Sequence, residues 1–321
     1  MMSYRTYRQG RQSRRIAGRL CAILAGSWEL SGCVSDRPQP PATPNPQPAA
    51  LEDMALKSPD EEISSQIAYQ THQLSNSTVH VVTVPANSGF HIGVAVSDTL
   101  APLSAQAEQV KAIAAINAGF FDPQNGLTTS YVMVDGAIIA NPQDNDRLVS
   151  NPDLQAYLPA ILNRSEFRIY DCEGRLRYDI TLHNAPLPIN CTLDAAVGAG
   201  PQLLPTMTGY QEGFMADNAA GEQVRDVLGS QTANARSALG IKADGTVVLA
   251  MASRLAIADA PTGVTFAEMT DLLVSLDVVK ALNLDGGSSS SLYFEGITYW
   301  GRLDSAGVPI QRPIKSILYV Y

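Results

Sequence analysis

Between residues 77 and 321 the sequence is a succession of short apolar runs, many of them rich in β-branched residues, separated by turn-forming residues. Pairs of such runs flank four short connections, which are Pro85–Gly89, Asp135–Gly136, Asp171–Gly174 and Asp244–Gly245. A short connection joins antiparallel strands, because a parallel pair needs a crossover of roughly a dozen residues or more. The pattern therefore predicts a series of β-hairpins, including one between Val79–Val84 and His91–Val96.

Few segments show the periodicity of a helix. The clearest is Thr265–Leu276, in which Thr265 can cap the N-terminus and apolar residues recur on one face. Ala105–Ala112 is the next most helix-like segment. Many hairpins combined with few helices predict an α+β fold, which we expect to be a single domain around a mostly antiparallel sheet with a few packed helices.

The first 32 residues have the features of an export signal. Six arginines precede the short apolar run Leu20–Gly26, and this run leads to Leu30-Ser-Gly-Cys33. A basic segment, a short apolar core and a small-residue cleavage site are typical of a secretory signal peptide. Because Leu-Ser-Gly-Cys is similar to the bacterial lipobox, it predicts cleavage before Cys33 and lipidation of the Cys33 thiol. The alternative is a disordered basic tail.

The segment after the signal is rich in proline and poor in apolar residues. Val34–Ala50 cannot pack a core and is expected to be an extended tether, and Leu51–Gln70 is a helix or a continuation of that tether. The predicted organisation is a lipoprotein signal peptide at residues 1–32, a tether and poorly structured lead-in at 33–76, and a folded domain at 77–321. No other stretch of the sequence approaches the roughly 20 apolar residues that a membrane span needs.

Charge limits the classes of partner. Acidic residues outnumber basic ones by 31 to 22, which gives a net charge of −9. A protein that binds nucleic acid needs a basic surface to meet the phosphate backbone, so no nucleic acid is expected as a partner. By exclusion, charge favours a small-molecule or carbohydrate substrate, and the membrane is expected to be reached only through a lipid anchor.

The four cysteines fit an exported protein. Cys21 lies in the predicted signal and Cys33 would carry lipid, which leaves Cys172 and Cys191. This even pair either forms one disulfide in an oxidising compartment or remains as two free thiols. The sequence has no Cys-x-x-Cys motif and its four histidines are scattered, so no metal site is predicted from these residues.

Three stretches combine polar side chains with glycines at the ends of predicted strands. In Asn117–Asp122, the amide of Asn117 can both donate to and accept from a sugar hydroxyl, and Asp122 can act as acid, base or ligand. The alternative for Asp122 is an Asx turn that ends a strand. In the second stretch Arg236 presents a planar fork that fits phosphate or carboxylate, whereas most single arginines are surface or ion-pair residues.

The third stretch, Leu282–Ser291, is the most informative one. It brings two polar side chains and two glycines into one turn, namely Asn283, Asp285, Gly286 and Gly287. Glycines let the backbone approach a ligand closely, and the serine hydroxyls and backbone N–H groups that follow are donors for an anion or a sugar. A Gly-Ser linker is the alternative, but apolar runs on both sides disfavour it.

Taken in order along the chain, these stretches resemble the motifs of the phosphodiester glycosidase family. The matching residues are Ile116–Asp122, Gly200-Pro201, Arg236–Gly240 and Leu284–Ser290, together with Arg254, Gly263 and Arg312. The resemblance covers roughly residues 78–321. Small residues replace small residues of the family pattern at three positions, which are Ala118, Ser237 and Ser288. These changes bear on substrate specificity and leave the polar residues intact.

Together with the export signal, the resemblance implies a hydrolase that cleaves a glycosyl-1-phosphodiester or a related amino-sugar bond in an envelope or extracellular polysaccharide. It implies Asp285 and Asp122 as the catalytic carboxylates, without deciding which is acid, base or nucleophile. The implied substrate-binding residues are Asn117, Arg236, Gly286, Gly287, Ser289 and Arg312. No cofactor is expected, although carboxylates beside glycine turns could hold Ca²⁺. The alternative function is a non-catalytic, glycan-binding lipoprotein of the cell envelope, periplasmic or at the surface.

Overall fold

The computed structural model describes residues 66–255 and 261–321. The predicted signal peptide, the lipidation site Cys33 and the proline-rich tether lie outside the described residues, so they stay predictions. No helix in the two described ranges is long and apolar enough to cross a membrane.

Strands make up most of the regular structure, and the helices are few and short. The first nine strands are β1 (Ala68–Leu74), β2 (Ser77–Val84), β3 (Ile92–Ala101), β4 (Ala114–Asn117), β5 (Val132–Val134), β6 (Ala137–Ala140), β7 (Ser165–Cys172), β8 (Arg175–Leu182) and β9 (Cys191–Gly198). The others are β10 (Gln202–Leu204), β11 (Met215–Asp217), β12 (Gln223–Asp226), β13 (Arg236–Lys242), β14 (Val247–Arg254), β15 (Val278–Asn283), β16 (Ser291–Phe294), β17 (Ile297–Trp300) and β18 (Ile314–Val320). The α-helices are α1 (Leu103–Gln109), α2 (Asp146–Val149), α3 (Leu158–Ile161) and α4 (Phe266–Ser275).

The strands form three large sheets and one two-stranded ribbon. Sheet 1 has the order β1-β2-β14-β13-β15-β10, sheet 2 has β17-β16-β4-β18-β3, sheet 3 has β6-β5-β9-β7-β8, and the ribbon is β11-β12. All strand pairings within the described ranges are antiparallel. The prediction of mostly antiparallel strands with few helices is confirmed. The fold is richer in sheet than predicted, because the strands are divided among several sheets instead of one.

Three of the four predicted hairpins are present. They are β5–β6, β7–β8 and β13–β14, which turn at the predicted glycine-containing sequences. The predicted hairpin between β2 and β3 is wrong, since β2 pairs with β1 and β14 in sheet 1 while β3 pairs with β18 in sheet 2. Val82 of β2 and Val94 of β3 are buried in the same apolar cluster, so the two strands contribute to one core from different sheets.

The folded domain starts earlier than the predicted boundary at residue 77. β1 lies in the segment predicted to be a poorly structured lead-in, yet it pairs with β2 from Ala68 opposite Thr83 to Leu74 opposite Ser77. The sequence of β1, AYQTHQL, is polar, and the strand lies at the edge of sheet 1. A strand that is solvated on one side needs few apolar residues, so β1 has no apolar run by which it could be found.

Two buried clusters cover the two faces of sheet 1. The larger cluster lies between the three large sheets and includes Leu282 from sheet 1, Ile116 from sheet 2 and Phe167 from sheet 3. The smaller one packs α4 onto the other face of sheet 1. Thr265 caps the N-terminus of helix α4, as the sequence predicts, and Glu268 completes a capping box by accepting the backbone N–H of Thr265. The shared core holds β4, β13 and β15, which carry the motifs, in one place.

Cys172 and Cys191 lie directly opposite each other on β7 and β9 and form a disulfide. Of the two alternatives that the sequence leaves open, the structure has the bonded one. The bond joins two neighbouring strands of sheet 3, which makes it a local link within a sheet.

Candidate active site

The motifs meet where the chain leaves β15. This strand ends at Asn283 in sheet 1, and the chain continues to β16 in sheet 2. The N–H of Leu284 donates to the carbonyl of Ser237 at 2.9 Å, and the N–H of Asp285 donates to the carbonyl of Ala118 at 2.9 Å. The turn at Asp285 is therefore held by the start of β13 on one side and by the end of β4 on the other.

Asn117 joins these motifs through its side chain. The buried amide donates from Nδ2 to the carbonyl of Asp285 (2.6 Å), and Oδ1 accepts from the Ser237 hydroxyl (2.7 Å) and from the backbone N–H of Ser291 (3.0 Å). Three of the four hydrogen bonds that an amide can form are thus made within the protein. Asn117 positions the Asp285 turn, and its predicted contact with a sugar stays a prediction.

The environment of Asp285 allows its carboxyl group to exchange a proton near neutral pH. Burial raises the pKa of the Asp285 carboxyl to about 6. Three contacts oppose the rise: the Ser289 hydroxyl, the N–H of Gly286, which donates to Oδ1 at 2.9 Å, and the positive charge of Arg312. A carboxyl whose pKa lies near the working pH can both accept and release a proton efficiently.

The two glycines of the turn shape its backbone. Gly287 has a φ of 65°, in the left-handed region that favours glycine, and its N–H donates to the carbonyl of Ala235 at 2.8 Å. The N–H of Gly286 is directed at the Asp285 carboxylate, and Ser289 is buried beside it. These groups stabilise the turn, and the predicted contacts of Gly286, Gly287 and Ser289 with substrate stay predictions.

Arg312 lies beside the same turn. Its guanidinium carbon is 5.5 Å from the centre of the Phe121 ring, and its charge lowers the pKa of Asp285. It thus lies between the Asp285 turn and the Phe121–Asp122 end of the first motif. The sequence predicts a phosphate-binding cation at this place, and that role stays a prediction.

Arg236 is buried at the start of β13 and is engaged with the backbone. Its guanidinium donates to four carbonyls, those of Leu228, Gly229, Thr232 and Val264. Its guanidinium carbon also lies 4.3 Å from the centre of the Phe266 ring. Since four of the five guanidinium N–H groups are used, the structure gives Arg236 the role of holding the loop before β13. These contacts do not favour the predicted binding of phosphate by Arg236.

Asp122 forms the Asx turn that the sequence offered as its alternative role. Oδ1 accepts from the N–H of Gln124 at 2.8 Å, and Oδ2 accepts from Nε of Arg147 at 2.6 Å. Desolvation raises the pKa of Asp122, but these two contacts outweigh it and hold the pKa below its usual value. Asp122 is therefore ionised, with both oxygens bound by protein donors.

Glu212 is a buried carboxylate that the sequence did not predict as part of the site. It accepts from the N–H (2.9 Å) and hydroxyl (2.7 Å) of Ser165, from the N–H of Gln202 (3.1 Å) and from the Thr208 hydroxyl. Gly200 packs against it so closely that a Cβ at residue 200 would lie 2.3 Å from Oε2. The Gly200-Pro201 motif is the one sequence signal of this contact, because Glu212 itself lies in no recognisable pattern.

Metal ligands are not concentrated near this turn. Within residues 66–255 and 261–321, no group of three or more His, Cys, Asp or Glu side chains is arranged to hold a metal ion. Binding of Ca²⁺ at the glycine turns stays a prediction.

All the motifs fall within one match to a known family. The family model described as phosphodiester glycosidase matches residues 110–321, more than half of the 321-residue chain. The chain belongs to the phosphodiester glycosidase family. No curated protein matches it in sequence. β1, β2 and β3 precede the matched residues, yet β2 pairs with β14, β3 pairs with β18, and β1 pairs with β2, so all three strands are structurally part of the matched domain.

Solved structures share the fold of this chain. The catalytic domain of zebrafish N-acetylglucosamine-1-phosphodiester α-N-acetylglucosaminidase, auto-inhibited by its pro-peptide, has a TM-score of 0.56 at 15% identity, with 80% of this chain and 82% of that one covered. An exported protein of Burkholderia pseudomallei K96243 has a TM-score of 0.53 at 15% identity, with 76% and 74% covered. A Synechocystis protein has a TM-score of 0.51 at 18% identity, with 79% and 61% covered. At these identities the likeness concerns the fold.

Proposed function

We propose that this phosphodiester glycosidase hydrolyses the bond between the anomeric carbon of an amino sugar and a phosphodiester phosphate in an envelope or extracellular polysaccharide. The observation that carries the proposal is the Asp285 turn: a partly buried carboxyl of raised pKa is held by the family motifs with the cation Arg312 beside it. This combination can handle a proton and attract a phosphate at one place.

The chemistry follows from the leaving group. A phosphate monoester departs readily, so little protonation is needed, and the site must mainly activate water and stabilise the charges of an oxocarbenium-like transition state. In the proposed step the Asp285 carboxylate takes a proton from water, the water oxygen bonds to the anomeric carbon, and the bond from that carbon to the phosphate oxygen breaks with its electron pair leaving on the phosphate. Arg312 favours the phosphate by its charge.

The proposal includes export to the cell envelope and an anchor at Cys33. Its support is the signal-like pattern of residues 1–33. The disulfide between Cys172 and Cys191 agrees with an oxidising compartment, since such bonds are rare in the cytosol. One protein of the same fold is described as an exported protein.

The proposed function is tested with the purified wild-type protein and two substrates of the same sugar. One is N-acetylglucosamine α-linked through a phosphodiester to methanol, and the other is the 4-nitrophenyl N-acetylglucosaminide, which has no phosphate. We expect release of free N-acetylglucosamine and methyl phosphate, with kcat/KM at least about tenfold above that for the aryl glycoside. Binding of the diester without any turnover would support the glycan-binding alternative and contradict the hydrolase.

Replacing Asp122 with asparagine should lower kcat less than about tenfold, because an exposed ion pair with Arg147 contributes little and the amide oxygen can still accept from Gln124. The measurement is steady-state kinetics on the phosphodiester. A loss of several hundredfold without a loss of stability would instead place the Asp122 carboxylate in the chemistry.

A further inference from the structure

Two arginines outside the predicted site are held in the same way. Nε of Arg164 donates to the carbonyl of Glu212 at 3.1 Å, and Nε of Arg225 donates to the carbonyl of the next residue, Gly213, at 2.8 Å. Each guanidinium also lies against an aromatic ring. The Arg164 carbon is 3.7 Å from the centre of the Phe214 ring, and the Arg225 carbon is 4.2 Å from the centre of the Tyr157 ring. One edge and one face of each guanidinium are therefore fixed.

The terminal nitrogens of both arginines remain available. Within the described residues neither arginine forms an ion pair, and their Nη groups donate to no protein acceptor. Arg164 and Arg225 are both partly exposed. Arg168 and Arg236 differ, because their guanidinium groups are engaged with backbone and side-chain acceptors. A fixed guanidinium with free terminal N–H groups is prepared for a planar, bidentate contact with an oxyanion.

The charges of Arg164 and Arg225 also favour the binding of an anion. The pKa of Arg164 is lowered to about 9, mainly by burial and in part by the like charge of Arg225, while the charge of Glu212 opposes the shift. The Glu212 carboxylate forms no ion pair with either arginine in the described part of the chain and is occupied by donors of Ser165, Gln202 and Thr208. Because neither arginine forms a direct ion pair within the described residues, a negative ligand that contacts both would stabilise the two like charges.

Short connections link the pair to the Asp285 turn. On one side, the Phe120 ring packs on Phe214, with 5.7 Å between the ring centres, and lies 6.0 Å from the guanidinium carbon of Arg164. Phe120 is two residues from Ala118, whose carbonyl accepts the N–H of Asp285. On the other side, the Glu212 side chain packs against Gly200, whose N–H donates to the carbonyl of Asn283 at 2.9 Å. The arginines thus border the same motifs as the candidate active site.

We propose that Arg164 and Arg225 together bind the phosphate group of the substrate, in place of the Arg236 that the sequence favoured. This inference rests on the proposed hydrolysis of a glycosyl phosphodiester. The pair recognises the doubly esterified phosphate by its oxygens and so discriminates against a glycoside that lacks phosphate.

The test uses Arg164→Gln, Arg225→Gln and the double variant, with Arg177→Gln on the exposed face of β8 as the control for the loss of one positive charge. We expect each single variant to lower kcat/KM on the N-acetylglucosamine phosphodiester by about 30-fold or more, since a charged hydrogen bond is lost. The aryl glycoside should change less than about threefold. Arg164→Lys keeps the charge but not the fork, and it should recover part of the loss. Thermal unfolding checks that each variant is folded.

A readout without catalysis separates this inference from the proposed function. Inorganic phosphate is titrated into each protein by calorimetry, and the Arg164 and Arg225 variants should bind it at least about tenfold more weakly than wild type. If wild type binds phosphate through these arginines but cleaves no phosphodiester, the proposed function fails and the anion site stands. If wild type cleaves the diester and the variants keep both activity and phosphate binding, the inference is overturned. An equal loss on both substrates would also overturn it, because it would show a structural role only.

Discussion

Replacing Asp285 with asparagine should lower kcat on a glycosyl phosphodiester by about 10²–10⁴-fold, because asparagine has the shape of aspartate but cannot accept a proton. The contact with the Gly286 N–H can be kept by the amide oxygen, so the turn should persist. The loss should appear in kcat more than in KM, since the carboxylate acts on the attacking water. Steady-state kinetics measure both constants, and an unchanged kcat would remove Asp285 from the chemistry.

The pH dependence of kcat/KM for the wild-type protein should reflect the ionisation of the same carboxyl group, that of Asp285. Burial raises the pKa of Asp285 to about 6, and the proposed step uses the carboxylate form. We therefore expect kcat/KM to fall as the pH drops below about 6 and to level off above it. A fall on the alkaline side of pH 6 would contradict the role of base and assign Asp285 as the proton donor.

The stability of the fold against urea provides the control for the Asp285→Asn variant. The folded-state pKa of Asp285 is raised above the ordinary value of 3.8, so its stabilising contribution is fully present below about pH 4 and is lost as the pH rises through about 6. Asparagine does not ionise and avoids that loss. In urea unfolding at pH 8, Asp285→Asn should be at least as stable as wild type, which would exclude unfolding as the reason for lost activity. A less stable variant at pH 8 would contradict the assigned burial of this carboxylate.

Replacing Asn117 with alanine should lower the free energy of unfolding by about 3–5 kcal/mol. The change leaves three groups without a partner: the Asp285 carbonyl, the Ser237 hydroxyl and the Ser291 N–H. Each buried polar group that loses its hydrogen bond costs about 1–3 kcal/mol. The measurement is the urea midpoint at constant slope, and kcat should fall as well because the Asp285 turn loses its support.

A second variant distinguishes support of the turn from contact with a sugar. Ser237→Ala removes one donor to Asn117 and should cost about 1–2 kcal/mol, less than Asn117→Ala. If Asn117 acted mainly on the sugar, its replacement would raise KM and leave the urea midpoint near that of wild type. That result would contradict the positioning role.

Local sequence patterns predicted those parts of the fold that local chemistry decides. The Asp-Gly turns produced the hairpins β5–β6 and β13–β14, and Thr265 caps α4 as expected. Prediction failed where pairing depends on distant strands. β2 and β3 are close in the chain but belong to different sheets, and the polar strand β1 is ordered because it pairs with β2.

The candidate site shows the same division. The ordered motifs identified the family, and they pointed to Asp285, whose turn the structure builds from β4, β13 and β15. They did not reveal which polar groups are already engaged. Arg236 is used by four carbonyls and Asp122 by its own turn and Arg147, whereas Arg164 lies in no motif and keeps its terminal nitrogens available.

By itself, the sequence determined the strand-rich class, the family and the turn on which the proposed chemistry depends. The tertiary structure alone decided which arginines and carboxylates remain available to a ligand. The physical reason is that every buried donor and acceptor must find a partner, and these partners come from distant parts of the chain. Asn117 meets Ser291, Arg236 meets Val264, and Arg164 meets Glu212 only when the sheets are assembled.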